Sequence, residues 1–341
     1  MKKALSILAL GILMAFVFMT TGTKVYAQTP PQKTINLITA TFGSTAYLIA
    51  QQLATEVNKK HPWLRINVIE GKPNNAHELA NKPNIRSNTV VESATYTKWA
   101  VSKGLRPAKA PYHGARALCA MAGILAVPIF TNDENIKSLQ DLKGKRVNLF
   151  TKGTQGENTL TALLKHIGIL DTIKADYLPF KPGVDAIIDG LIQATVGYAA
   201  LVQNEPIKYS PVSAYIEMLE SRKCDVIDIP LQLMREASKA TGIPISPIKL
   251  PAGSIAKGVP SKDMTTYCTY IWMFVDENFP EDLAYEVCKV YAENLQALRK
   301  TSPGASALAI EKLAMSDLKP EEYHPGALRF FKEKGIKVIT E

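Results

Sequence analysis

The sequence predicts a two-lobed α/β clamshell, and three observations carry that expectation. Short apolar runs alternate with stretches of helical spacing, which implies βα units and parallel sheets with right-handed crossovers. Two of these units share one device, a strand followed by a small-residue loop and a capped helix. Two extended, Pro-containing stretches, 117–130 and 242–257, are placed to carry the chain from one lobe to the other and back. Each lobe is expected to hold a mixed, mainly parallel sheet flanked by helices. The 341 residues suffice for two domains, each with its own core. The expected divisions are a leader over 1–27, lobe I over 28–120, lobe II over 121–250, and a return to lobe I with C-terminal helices over 251–341.

In the leader, Lys2 and Lys3 precede an apolar run over 4–19, and Val25-Tyr26-Ala27 ends it with small residues at the positions a signal peptidase reads. This predicts a cleavable signal peptide cut after Ala27 and a periplasmic mature chain. The run is short for a membrane anchor, and no cysteine near the junction invites lipid attachment.

Residues 34–39 read as the first strand and 40–45 as its loop. A helix follows over 46–58, with Ile49, Leu53, Ala54 and Val57 on one face and Ser44 or Thr45 as its cap. Residues 64–69 alternate as a second strand, and 70–75 form a turn in which Asn74 and Asn75 are either turn formers or ligand contacts. A short third strand over 89–91 places Glu92 and Ser93 at its end, ahead of a helix over 96–104. The run 117–130 is the longest apolar stretch outside the leader, and Pro128 divides it into strands. Residues 147–150 form a buried strand; Thr154 and Glu157 then match a capping box, and Leu160, Leu163, Leu164 and Ile167 mark the helix. Free N–H groups at such a helix start, with the positive end of the dipole, attract carboxylate, sulfonate or phosphate. Helices over 185–191, 212–218, 232–240 and 281–300 alternate with strands over 194–198, 225–229 and 269–275.

The net charge of +9 falls to +6 without Lys2, Lys3 and Lys24. The excess is scattered, which suits small anions or a membrane-side partner and gives no basic, aromatic-interleaved run for nucleic acid. Cys119, Cys224, Cys268 and Cys288 have no metal-like spacing; one bridged pair and buried free thiols both accord with it. No GxSxG or HExxH occurs, and His77-Glu78 lacks the second histidine four residues after the first. The sequence therefore points to no catalytic set, no metal and no cofactor.

Several separated stretches together resemble the TAXI family of solute-binding proteins, the extracytoplasmic receptors of one branch of TRAP transporters. They are His324-Pro325-Gly326-Ala327 with the Arg329 to Gly335 ending, SLQDLKGKRV over 138–147 leading into Gly153 to Glu157, and KLPAGS over 249–254, with weaker matches over 39–53 and 71–79. The chain departs from the pattern at Phe42 to Tyr47, at Gly71 to Asn74, and at Gln155-Gly156. The resemblance implies a type II-like periplasmic binding protein that takes a small organic anion (carboxylate, acidic amino acid or sulfonate) and delivers it to an integral membrane TRAP permease. A secreted enzyme and a ligand-presenting partner of a signalling receptor are the alternatives. With strand-end placement, it also implies the ligand contacts: Thr41, Ser44, Thr45 and Tyr47 from the first loop, Asn75, Glu92 and Ser93 from lobe I, and Thr154, Gln155, Gly156, Glu157 and Tyr198 from lobe II. Glu157 reads first as a helix cap, or as an ammonium contact if the ligand is an amino acid. Tyr198 reads equally as a packed core aromatic.

Overall fold

The computed structural model describes residues 32–72, 75–316 and 318–340; the leader, the cleavage position after Ala27, and Asn74 lie outside them. The chain runs β1 (Lys33–Thr39), α1 (Thr45–Lys60), β2 (Leu64–Glu70), α2 (Ala76–Asn81), β3 (Thr89–Ala94), α3 (Thr95–Ser102) and β4 (Ala115–Ala120). It continues through β5 (Leu125–Val127), β6 (Ile129–Thr131), β7 (Arg146–Asn148), α4 (Gln155–His166), β8 (Lys174–Asp176), α5 (Phe180–Ile188), β9 (Ala194–Val196), β10 (Ala199–Asn204) and β11 (Ile207–Pro211). Then come α6 (Ser213–Ser221), β12 (Asp225–Val226), α7 (Leu231–Thr241), β13 (Ser246–Leu250), β14 (Met264–Thr269), β15 (Ile271–Asp276), α8 (Glu281–Glu293), α9 (Leu295–Leu298) and α10 (Pro325–Lys334).

Three five-stranded sheets result, in the orders β2-β1-β3-β15-β4, β11-β10-β5-β14-β13 and β12-β6-β9-β7-β8. Pairing is parallel where strand, helix and strand follow one another, in β2-β1-β3 and in β9-β7-β8. The sheet containing β5 and β14 is antiparallel throughout. The fold is the expected mixed α/β arrangement, one sheet forming lobe I and two forming lobe II. The chain leaves the first sheet between β4 and β5 and returns between β14 and β15. These passages lie side by side: the Met121 N–H donates to the Ile271 carbonyl at 2.8 Å. The stretch 242–257, expected to cross, instead supplies β13, paired with β14 from Ser246↔Cys268 to Leu250↔Met264. The return falls at Tyr270, inside the run 269–275 that reads as a single strand in sequence.

Around the first sheet, Ile35, Leu37, Ile49, Leu53, Trp272, Phe274, Phe330 and Phe331 build one large core, and separate cores lie under the other sheets. The His324-Pro325-Gly326 turn serves this packing. His324 caps α10 by accepting from the Gly326 N–H at 3.2 Å, and a Cβ on residue 326 would stand 2.2 Å from the Glu281 carbonyl oxygen. The long helix expected over 281–300 breaks between α8 and α9, where Asn294 is buried, bonds the Val290 carbonyl at 2.7 Å and accepts from Lys60 at 2.8 Å. That tertiary contact with α1 overrides helical spacing. Cys119, Cys224, Cys268 and Cys288 are all buried, and none of them forms a disulfide. No helix among the described residues is long and apolar enough to cross a membrane.

Candidate functional site

Ligands on open α/β sheets gather beyond the C-terminal ends of parallel strands. In the first sheet these ends are Thr39, Glu70 and Ala94, with Glu92 two residues before the last. After β1, Gly43 turns the chain at φ +78°, and the Ser44 hydroxyl caps α1 by accepting from the Tyr47 N–H at 3.2 Å. The Phe42 N–H donates to the Glu70 carboxylate at 2.9 Å. The Phe42 ring is 77% exposed and leans on Tyr47 with centroids 5.2 Å apart. Thr41 is exposed. The Thr45 hydroxyl faces away toward Ser302, whose Oγ lies 3.4 Å from it, and the Tyr47 hydroxyl accepts from Gln51 at 2.9 Å.

Asn75 joins the end of β1 to β3. Its Oδ1 accepts from the Lys72 N–H at 2.8 Å, while its Nδ2 donates to the Thr39 carbonyl at 3.0 Å and to the Glu92 carboxyl at 3.3 Å. A Cβ at residue 71 would stand 2.4 Å from both Asn75 Oδ1 and the Thr39 carbonyl, so this turn requires Gly71. Ser93 Oγ accepts from the Ala76 N–H at 3.4 Å. Glu92 is 4% exposed, and burial, against the weaker opposing pull of the Asn75 hydrogen bond, raises its pKa to about 8.

In lobe II, Asn148 ties the strand ends together. It accepts from the N–H groups of Phe150 at 3.1 Å and Leu178 at 2.8 Å, and donates to the Leu178 carbonyl at 3.1 Å and to Thr195 Oγ1 at 3.0 Å. The strand therefore ends at Asn148 and not at Phe150 as its apolar pattern implies. Phe150 holds φ +76°, with its ring 4.8 Å from Phe180 and 5.3 Å from Tyr198. A non-glycine residue in that region is strained, and here aromatic packing surrounds it.

The start of α4 is more fully capped than the sequence implies. Thr154 Oγ1 accepts from the Glu157 N–H at 3.4 Å, as expected of a capping box. The Glu157 carboxylate, however, takes the Gly153 N–H at 3.0 Å, because the Thr154 N–H is already bonded to the Thr151 carbonyl at 3.2 Å. The Tyr198 hydroxyl rests against the Gly156 N–H and the Thr154 hydroxyl, and burial raises its pKa. From Gly153 to Glu157, the Gln155 N–H is thus the one without a partner among the described residues. The Gln155 side chain is buried, donates to the Cys268 carbonyl at 3.3 Å and leaves its Oε1 without a partner. A Cβ on residue 156 would stand 2.6 Å from the Tyr198 oxygen, so Gly156 is what lets the tyrosine close on the helix.

A cavity of about 180 Å³ lies where α2 and α3 meet the start of α4, lined by His77 of α2, Tyr96, Thr97 and Ala100 of α3, Leu105 and Arg106, and by Gly153 and Asn158. Arg106 is exposed and has no ion pair among the described residues, and no carboxylate lines the cavity. The structure thus gathers Asn75, Glu92 and Ser93 into one cluster and Thr154, Gln155, Gly156, Glu157 and Tyr198 into another. Ser44, Thr45 and Tyr47 serve their own helix end and the 302–304 segment. Sequence reasoning missed His77, Thr97, Arg106 and Asn158, whose only signal is position beside strand-end loops. Among the described residues no group of three His, Cys, Asp or Glu is placed to hold a metal.

Fold and cavity together define a two-lobed α/β protein with a polar cleft. The chain belongs to the NMT1-like family, whose model matches residues 37–335. Among solved structures it is similar to the periplasmic aliphatic sulphonate binding protein SsuA from Escherichia coli, at 14% identity and TM-score 0.49, over 89% of this chain and 94% of that one. It is also similar to a TctC solute binding protein from Polaromonas, at 16% identity and TM-score 0.48, over 80% and 88%. A third is MatC from Rhodopseudomonas palustris with bound malate, at 12% identity and TM-score 0.48, over 89% and 96%.

Proposed function

We propose that the protein is a periplasmic solute-binding receptor, exported by a signal peptide cleaved after Ala27, that captures a small organic anion in the interlobe cleft and passes it to a TRAP-type permease. The observation that carries the reading is the cavity in which the start of α4 meets α2, α3 and the unpaired Arg106. A carboxylate or sulfonate there is met by the Arg106 guanidinium and the Gln155 N–H, helped by the α4 dipole. The contacts proposed from sequence, Thr41, Ser44, Thr45, Tyr47, Asn75, Glu92, Ser93, Thr154, Gln155, Gly156, Glu157 and Tyr198, remain the proposed set, with Arg106 added. Closure about the paired passages at Met121 and Ile271 traps the ligand, because only the closed state engages it from both lobes.

We read the function as binding; the buried Glu92 carboxyl accepts from the Asn75 amide and the Glu157 carboxylate takes the Gly153 N–H. The TAXI assignment within this reading rests on the HPGA, SLQDLKGK and KLPAGS stretches. Calorimetric titration with dicarboxylates, acidic amino acids and alkanesulfonates tests it. Saturable 1:1 binding of at least one is expected, and no binding across all three classes contradicts it.

A further inference from the structure

The lobes are joined by more than the two passages. After α9 the chain runs through 302–313, a stretch rooted in lobe I. Ala305, Leu308 and Leu313 are buried in the core around the first sheet, and the Leu313 carbonyl accepts from the Ala120 N–H of β4 at 3.0 Å. The same stretch reaches β10 of lobe II at three points. Gly304 lies between the lobes, since a Cβ there would stand 2.8 Å from Thr45 Oγ1 of α1 and 3.3 Å from Ala200 Cβ of β10. The Ser306 hydroxyl lies 2.6 Å from the Val202 carbonyl and 2.7 Å from the Pro303 carbonyl of its own segment. Lys312 Nζ donates to Asn204 Oδ1. Both polar contacts reach solvent, and each has a substitute when broken: the one Ser306 proton passes to Pro303, while Lys312 and Asn204 turn to water. Beside them a cavity of about 30 Å³ lies among Gly123 and Ile124 of one passage, Tyr270 of the other, Leu201 of β10, Ala307 and Lys312. Interiors are otherwise close-packed, so the joint has room to shift here.

We propose that 302–313 is a reversible strap, and that Ser306 and Lys312, outside the proposed ligand contacts, set the balance between joined and separated lobes. This goes beyond the receptor reading and needs no ligand for its test. In this structure the lobes meet: Tyr96 and Ala100 of α3 share a core with Leu160 and Leu163 of α4. The strap's bonds to Val202 and Asn204 exist only while β10 stays beside lobe I, so they stabilise the joined state and are lost on separation. Its start rests on α1, with Ser302 Oγ 3.4 Å from Thr45 Oγ1, so the segment that holds lobe II is braced against the helix that begins the cleft. A ligand engaged from both sides needs joined lobes, and its apparent affinity scales with the joined fraction.

The experiment measures the distance between the lobes in ligand-free protein by double electron–electron resonance. Spin labels sit on Thr55→Cys of α1 and Lys239→Cys of α7, both at exposed positions, while the four native cysteines are buried. In Ser306→Ala with Lys312→Gln the ratio of separated to joined lobes should rise about tenfold, the worth of one neutral and one charge-assisted bond after allowance for solvent exposure. Asn204→Lys, at an exposed position where folding is not at risk, sets a like charge against Lys312. It should raise the same ratio, and about 1 M salt should reverse the rise. An unchanged distance distribution in either variant, or a rise in Asn204→Lys that salt leaves in place, overturns the strap. With no ligand present, that failure leaves the receptor reading to its own titration.

Discussion

Glu92→Gln separates wild type from variant without any ligand. A carboxyl with pKa about 8 in the folded chain and about 4.3 unfolded holds its proton in the native state over a range where the unfolded chain has lost it. Between those values the folded state binds more protons, so stability falls as pH rises from about 4.3 to about 8. A difference of 3 to 4 pKa units corresponds to about 5 kcal/mol at 1.36 kcal/mol per unit, an upper bound that relaxation around the buried group reduces. Glutamine keeps an acceptor for the Asn75 amide and cannot ionise. The variant and wild type should therefore be close in stability at pH 5 and diverge steadily above it, the variant several kcal/mol more stable at pH 8.5. Denaturant titrations at half-unit pH intervals read this directly. Parallel pH profiles for the two proteins would refute the buried, unpaired carboxyl on which the argument depends.

Gly156→Ala drives a Cβ to 2.6 Å from the Tyr198 oxygen and 2.8 Å from a Val196 methyl. Overpacking of about 1–3 kcal/mol outweighs a helix-propensity gain of about 1 kcal/mol, so denaturant titration should show a less stable protein, and unchanged stability would contradict the close approach. Arg106→Gln, at an exposed residue without an ion pair, should alter stability by less than about 0.5 kcal/mol. It should weaken anion binding about tenfold in calorimetry, as loss of one charge-assisted bond does; unaltered affinity would remove Arg106 from the site. The four buried thiols should resist a thiol reagent in the native protein and titrate as four in denaturant without reductant, whereas two would reveal a bridge.

The fold was legible where spacing and turn chemistry agreed. Ser44 and Thr154 cap the helices expected of them, and the parallel βα runs appear where apolar stretches alternate with helical ones. It was illegible where a tertiary contact decides. The return passage at Tyr270 hides between two strands of one pattern, and Asn294 ends α8 because it reaches Lys60. For the site, strand ends pointed to Asn75, Glu92 and Tyr198, yet their partners were invisible. That Tyr198 closes on α4, that Glu157 reaches Gly153 and not Thr154, and that Arg106 faces the cavity are all consequences of loops meeting across the fold. A local pattern carries no record of them.

The most direct test of the central claim, a receptor that traps a small molecule between its lobes, is native mass spectrometry of residues 28–341 before and after unfolding. The predicted result is a stoichiometric small organic acid, released intact on denaturation and at lower occupancy in Arg106→Gln preparations. A protein that emerges empty, and that no carboxylate or sulfonate then stabilises against heat, would contradict it.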